Sequence, residues 1–265
     1  MSKKIPVTSI KSGHLTEAAP GIYQYTNQVV NLFFVCANAE KKSWVLIDAG
    51  MPESAEQIIE QAEKLFGKGV RPEAIYLTHG HFDHVGGLET LIKAWDVPVY
   101  AHPEEFPYLT GQLNYPEPDA KAGRGLVVKL SPLLFPHEGI DITGALQHLN
   151  KDHEVPHLPG WFWIHTPGHT PGHISFFHHA SKTMIAGDAL ITVKQESLYN
   201  VLMQKKELDS PPDYLTQDKE LAMQSVNIIK DMKPKLLLTG HGMPMKDFEF
   251  DDQLTNMVSD HDRSS

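Results

Sequence analysis

Within six residues the chain presents four groups that bind metal ions, in His79-Gly80-His81-Phe82-Asp83-His84. Neutral imidazoles beside a carboxylate make a borderline nitrogen and oxygen donor set of the kind that suits zinc, iron or manganese. Three later positions extend the set. His169 sits in Thr166-Pro167-Gly168-His169-Thr170-Pro171-Gly172-His173, Asp188 follows Ala186-Gly187, and His241 lies between Gly240 and Gly242. Each alone is an ordinary turn residue. In series after apolar runs they complete a set of seven, His79, His81, Asp83, His84, His169, Asp188 and His241. That number suits two metals with one carboxylate shared between them. A metal pair lowers the pKa of bound water to about 7, so the chemistry indicated is hydrolysis without a protein nucleophile. Asp83 is expected to hold the attacking hydroxide and to pass its proton to the leaving group.

The elements that must position these groups can be read around them. Ala74–Leu77 is a buried-type strand running directly into Thr78-His79. Thr183–Ala186 leads to Asp188, and Lys235–Leu238 leads to His241. Ile22–Thr26, Asn31–Ala37, Trp44–Ile47, Val97–Ala101, Trp161–His165 and Ile174–His178 read as further strands, the third closed by Asp48-Ala49-Gly50. Apolar residues at 58, 59, 62, 65 and 66 predict a helix over Ser54–Phe66, and similar spacing predicts helices over about Gly87–Trp95 and Gln217–Met232. Strands alternating with helices imply an α/β layered domain. AIYLTHGH (74–81) and KLLLTGHG (235–242) form a faint internal echo.

Residues 103–159 break this rhythm, holding eight of the 19 prolines. Such density disfavours long regular elements, and the stretch reads as a loop or cap insertion beside the site. Phe106, Tyr108, Leu113 and Tyr115 there, with Pro211–Thr216, are expected to wall a pocket for a small, moderately apolar ester or lactone. The Trp161–Trp163 cluster and Cys36 read as core. The tail from Lys246 is polar and acidic and is expected to pack loosely.

Composition excludes other classes. The 265 residues carry 23 Lys+Arg against 33 Asp+Glu, a net charge of −10, which argues against a nucleic-acid partner. With 41% hydrophobic residues the chain can build a core and is not disordered. No run approaches the roughly 18 apolar residues of a membrane span. The opening MSKKIPVTSIKSGHL lacks a secretory apolar segment, and the single Cys36 forms no internal disulfide, so a cytoplasmic protein with a small-molecule substrate is expected. Monomer and homodimer both stay open.

With His79-Gly-His81-Phe-Asp83-His84 followed in order by His169, Asp188 and His241, and with Asp48 at its strand end, the chain resembles the metallo-β-lactamase superfamily over roughly residues 20–245. The resemblance implies an α/β fold, a four-layer αββα sandwich of two mixed β-sheets, here as one domain over 1–265 with the insertion at about 103–159. It implies that His79, His81 and His169 bind one divalent metal, that Asp83, His84 and His241 bind a second, and that Asp188 bridges them. Zinc is expected first, with iron or manganese as alternatives. Asp48 is expected to orient a ligand histidine, and His173 to be structural. The remaining histidines, His14, His102, His137, His148, His153, His157, His165, His178, His179 and His261, share no ligand spacing and read as exposed or hydrogen-bonded.

Asp188 separates the chain from the zinc β-lactamases, which lack a bridging aspartate, and points to the glyoxalase II and lactonase branch. The implied reaction is attack of a metal-bridging hydroxide on an ester, lactone or thioester carbonyl. The short acidic sequence after His241 disfavours a glutathione thioester, and the absence of a basic arm disfavours a ribonuclease Z-like role. Homoserine lactonases place a tyrosine where Ile191 stands, with Tyr199 or Tyr214 as substitutes. A phosphodiesterase of the same fold, a mononuclear-iron persulfide dioxygenase and a non-catalytic metal-binding scaffold are the alternatives.

Overall fold

A computed structural model describes residues 8–38, 43–122, 126–195 and 197–264. Seven strands form the first sheet in chain order: β1 (Leu15–Ala19), β2 (Ile22–Asn27), β3 (Val30–Asn38), β4 (Ser43–Ile47), β5 (Ile75–Tyr76), β6 (Val99–Ala101) and β7 (Leu146–His148). The first four pair antiparallel and the rest parallel, so the sheet is mixed. A second sheet has the order β12-β11-β10-β9-β8, built from β8 (Trp161–His165), β9 (Ile174–His178), β10 (Thr183–Ile185), β11 (Leu236–Leu238) and β12 (Met245–Lys246). Only β10 and β11 pair in parallel there.

Strand alternation separates the apolar residues into layers. Phe33, Val35, Val45, Ile47 and Tyr76 point from the first sheet toward Trp163, Ile174, Phe176, Ile185 and Leu238 of the second, filling the space between the sheets. Their neighbours Leu32, Phe34, Trp44 and Leu46 face the other way, onto α1 (Ala55–Phe66) and α3 (Leu88–Trp95). There Trp44 stacks on Phe66 with ring centroids 4.5 Å apart. On the far side of the second sheet, Phe177, Met184 and Leu237 pack against Val226 and Ile229 of α7 (Lys219–Asp231) and against Phe250, Leu254 and Val258 of α8 (Asp247–Ser264). Three apolar layers between four layers of secondary structure make the αββα sandwich.

Short helices complete the chain: α2 (Phe82–Val85), α4 (Phe106–Leu109), α5 (Leu126–Leu134) and α6 (Leu198–Met203). The α5 helix, with Pro132 inside it, and the edge strand β7 both lie within the proline-rich stretch. One expectation is corrected. The tail does not pack loosely: Phe250, Leu254 and Val258, one face of α8 at four-residue spacing, are buried against the second sheet. The acidic residues between them mask an amphipathic helix. Among the described residues no helix is long and apolar enough to cross a membrane.

Candidate metal centre

All seven sequence-predicted ligands converge at one edge of the sandwich, where strands of both sheets end. His79 and His81 follow β5, and Asp83 and His84 lie on the single turn of α2. His169 stands on the turn between β8 and β9, Asp188 follows β10 and His241 follows β11. All seven are buried. His79 Nε2 and His169 Nε2 each lie 3.0 Å from His81 Nδ1. Asp83, His84 and His241 form a second group, and Asp188 lies between the two. Its Oδ2 is 3.6 Å from His169 Nε2 and 3.3 Å from His241 Nε2, while its Oδ1 is 3.6 Å from His84 Nε2.

The hydrogen bonds behind these rings decide which nitrogen faces inward. His84 Nδ1 donates to Asp48 Oδ2 at 2.8 Å, and His241 Nδ1 donates to the carbonyl of Val29 at 3.0 Å. Thr78 Oγ1 donates to Asp48 Oδ2, so its lone pair accepts from His79 Nδ1 at 3.0 Å. Thr216 Oγ1 donates to Pro212 O and can accept from His169 Nδ1 at 3.4 Å. Each bond places a ring proton on an oxygen, so Nε2 of the neutral ring is a lone pair directed into the centre, as at His79 and His169; His84 and His241 offer the same lone pair once a metal displaces their second proton. Three ring nitrogens therefore meet around His81 with at most one proton among them. His84 Nε2 and Asp188 Oδ1 are buried with no hydrogen-bond partner. Lone pairs facing one another, with orphaned buried acceptors beside them, are repulsive unless a cation sits among them. The residues fit a divalent metal on both sides of Asp188.

Electrostatics divide the centre in the same way. Burial pushes His79 and His169 well below the ordinary histidine value, and it pushes His81 down to about 4. That group is neutral and ligand-ready. Burial also opposes charge on His84 and His241, but Asp188 with Asp48 outweighs it at His84, and Asp188 with Asp83 raises His241 to about 10. Burial opposes ionisation of Asp188 and Asp83 too. His241 and His84 overcome it and hold both carboxyls below their usual range.

Supporting residues lock the loops. Asp48 accepts from Thr78 N, Thr78 Oγ1 and His84 Nδ1, each at 2.8 Å, and holds a left-handed backbone at φ 63°. A strained backbone over-determined by three hydrogen bonds is a positioning device. His173 is not a ligand. Its Nε2 accepts the Asp188 N–H at 2.9 Å and its Nδ1 meets Thr166 Oγ1, so it sets the height of Asp188 from behind. Asn31 Nδ2 donates to the carbonyls of Thr239 and Gly242, pinning the His241 loop to β3.

Glu105 escapes sequence reasoning altogether. Its buried carboxylate accepts Gly80 N–H and the Tyr115 hydroxyl on one oxygen, and Gly172 N–H and the Thr170 hydroxyl on the other. It thereby ties the His79–His81 turn to the His169 turn. Burial pushes its carboxyl up, and the four hydrogen bonds pull against that shift. Nothing in Pro103-Glu104-Glu105 marks the second glutamate as the buried one.

The expected wall is partly corrected. Tyr115 is buried with its hydroxyl on Gly80 N–H and its ring 4.5 Å from that of His81, so it supports the ligand turn. Tyr199 is 68% exposed, whereas Tyr214 is buried. Phe82, Phe135 and Tyr214 form a continuous stack, with centroids 5.7 and 6.0 Å apart, next in sequence to Asp83.

Comparison with known proteins gives this geometry a lineage. The sequence profile of the metallo-beta-lactamase superfamily matches residues 25–241. The chain belongs to that superfamily. It is 49% identical to the Probable metallo-hydrolase YflN of Bacillus subtilis (strain 168), over 96% of each chain. It is 26% identical to an N-acyl homoserine lactonase of a Bacillus species, over 74% of this chain and 76% of that one. Among solved structures, TTHA1623 in a di-iron-bound form is similar with a TM-score of 0.52 and 26% identity, over 82% of this chain and 89% of that one. Membership, with an intact His/Asp ligand set, marks the chain as a metallo-hydrolase.

Proposed function

We propose that the chain is a dinuclear metal-dependent hydrolase of ester or lactone bonds in a small molecule. The observation that carries this reading is the Asp188 carboxylate, set between an all-histidine group and a group that adds Asp83. His79, His81 and His169 would hold one metal, Asp83, His84 and His241 the other, and Asp188 both. When bound, such a pair supplies hydroxide near neutral pH and neutralises negative charge developing on a carbonyl oxygen.

The chain's own groups supply the rest. Asp83 is ionised, held so by His84 and His241, with Oδ2 3.3 Å from His241 Nε2. It can accept a proton from the attacking water and return it to the leaving oxygen. His173 and Asp48 fix the heights of Asp188 and His84, so the ligand set does not reorganise during the reaction. The Phe82–Phe135–Tyr214 stack offers an apolar surface to an acyl or alkyl group and excludes water from that side. Similarity to an N-acyl homoserine lactonase supports a lactone among the substrates.

The test is proton release by metal-loaded protein with an acyl homoserine lactone, an aryl ester, a glutathione thioester and a phosphodiester, each with and without chelator, alongside metal analysis. Chelator-sensitive turnover of the lactone or aryl ester, at about two metals per chain, is expected. Turnover confined to the phosphodiester would overturn the acyl reading. A single iron with persulfide oxidation would overturn hydrolysis.

A further inference from the structure

The proline-rich insertion contributes a wall residue that residue type alone does not mark. Of the four insertion residues expected to line the pocket, Phe106 packs on His148, Tyr108 stacks on Tyr115 and Leu113 is 53% exposed. Phe135 takes that place. Its ring is the middle one of the aromatic stack, 5.7 Å from Phe82 with planes at 16° and 6.0 Å from Tyr214 with planes at 20°. Phe82 and Phe135 also rest on the buried pair Val30 and Met51.

Three of these neighbours are one or two residues from a group that serves the candidate centre. Phe82 precedes Asp83. Tyr214 is two residues from Thr216, whose Oγ1 lies 3.4 Å from His169 Nδ1. Val30 follows Val29, whose carbonyl accepts from His241 Nδ1. Consecutive Cα atoms are about 3.8 Å apart, so three separate parts of the centre converge on Phe135. Local sequence seats the ring there. Val128 and Ser131 are buried at helical spacing before it, the Phe135 N–H donates to the Ser131 carbonyl at 2.9 Å, and Pro136 stops the helix directly after. Phe135 itself is half-buried, so one side stays open to a bound molecule.

We propose that Phe135 is a specificity-determining residue that selects compact acyl groups. The inference rests on the acyl-hydrolase reading given above. Near-parallel rings at these spacings are offset stacks, and the middle ring occupies the slot that a bulkier substrate group would otherwise enter between the outer two. A compact chain can still cover the open edges of Phe82 and Phe135, at about fourfold in kcat/KM for each methylene buried. A phenyl-sized group finds the slot filled. Removing the Phe135 ring empties a space walled by Phe82 and Tyr214, and an apolar cavity of that kind accepts a benzene-sized group.

The test compares wild type with Phe135→Ala, Phe135→Leu and Phe135→Trp on the methyl esters of butyrate and 4-phenylbutyrate. Proton release gives the ratio of kcat/KM for the two esters, and calorimetry gives the ratio of affinities for the two free carboxylates. Phe135→Ala should raise the phenylbutyryl-to-butyryl ratio on the order of 10- to 100-fold, the worth of burying an apolar ring. Phe135→Leu should raise it less, and Phe135→Trp should lower it. A damaged fold cannot imitate ratios that move in opposite directions. Ratios unchanged in all three variants, or shifted the same way in Phe135→Ala and Phe135→Trp, would overturn the inference. If wild type hydrolyses neither ester, the acyl reading fails, and the affinity ratios alone decide whether Phe135 fills the slot. Failure of either carboxylate to bind any of the four proteins would overturn the inference as well.

Discussion

Replacing Gly240 with alanine tests the proposed bridging role of Asp188 without substituting any of the seven residues. A methyl group at 240 would lie 2.0 Å from Asp188 Oδ1 and 2.8 Å from His84 Cε1, against an ordinary contact of 3.4 Å or more. Asp188 is a short side chain, buried and held from behind by His173 at its own N–H, so it cannot swing aside cheaply. The carboxylate must retreat by about 1.4 Å, the shortfall from ordinary contact. Metal–ligand distances tolerate only about 0.2 Å, so the shared carboxylate is lost to at least one metal. A misplacement of about 1 Å costs on the order of 100-fold in rate, so a fall in turnover of at least about 100-fold is expected. Metal content should drop from about two per chain to one or fewer. The backbone at Gly240 is not left-handed, so the fold should survive with an overpacking cost of roughly 1–3 kcal/mol. Gly144→Ala is the control, since its added methyl meets nothing within 4 Å. Metal analysis, circular dichroism melting and ester turnover read the three effects. A Gly240→Ala protein with full metal content and wild-type turnover would refute the steric argument and the shared carboxylate together.

Three other outcomes follow from the same geometry. Glu105→Gln sets an amide NH2 against donors on one side of the clamp, so stability should fall by about 1–3 kcal/mol and kcat should fall while the metals stay bound; denaturant melts and steady-state kinetics check both. Phe250→Ala should cost about 3–5 kcal/mol yet leave kcat unchanged, because Phe250 packs in the apolar layer outside the second sheet and is none of the seven converging residues; unaltered stability would mean that α8 is not docked. Metal-stripped protein should be most stable near pH 6.5. Below that, His81 and His102, held down at about 4, and His173, at about 3, stay neutral in the fold while the unfolded rings take up protons, so stability falls with falling pH. Above it, His241, raised to about 10, keeps its proton only when folded, so stability falls as pH climbs toward that value. Metal should abolish the alkaline limb, which thermal melts across pH with and without zinc would reveal.

The convergence of the candidate ligands was legible because their chemistry is local. His79 to His84 lie within six residues, and the later ligands follow apolar runs that can only be strands. Both sheets were visible for the same reason, since Asn31–Ala37 and Ile174–His178 are too apolar to be anything but buried. Edge elements were not. β7 (Leu146–His148) has one partly buried residue and two exposed ones, and β12 is two residues long, so neither carries a pattern of its own. The α8 helix did carry one, at 250, 254 and 258, but the acidic and polar residues between those positions dilute the apolar spacing.

Apart from Asp48 and His173, which the family resemblance marked, sequence could not reveal which polar groups lie behind the candidate ligands, and the reason is physical. A ligand must match a metal, which restricts its type. A group behind it must only supply an oxygen at the right place, and here that oxygen comes from Asp48, Thr78, Thr216 and the carbonyl of Val29 alike. Such interchangeability leaves no signature in residue type. The same reasoning explains His102 and His165, 63 positions apart, whose rings meet only because the two sheets close on each other. Glu105 is the extreme case. One of two adjacent glutamates turns into the interior and holds both ligand turns, and only the fold distinguishes it from its exposed neighbour.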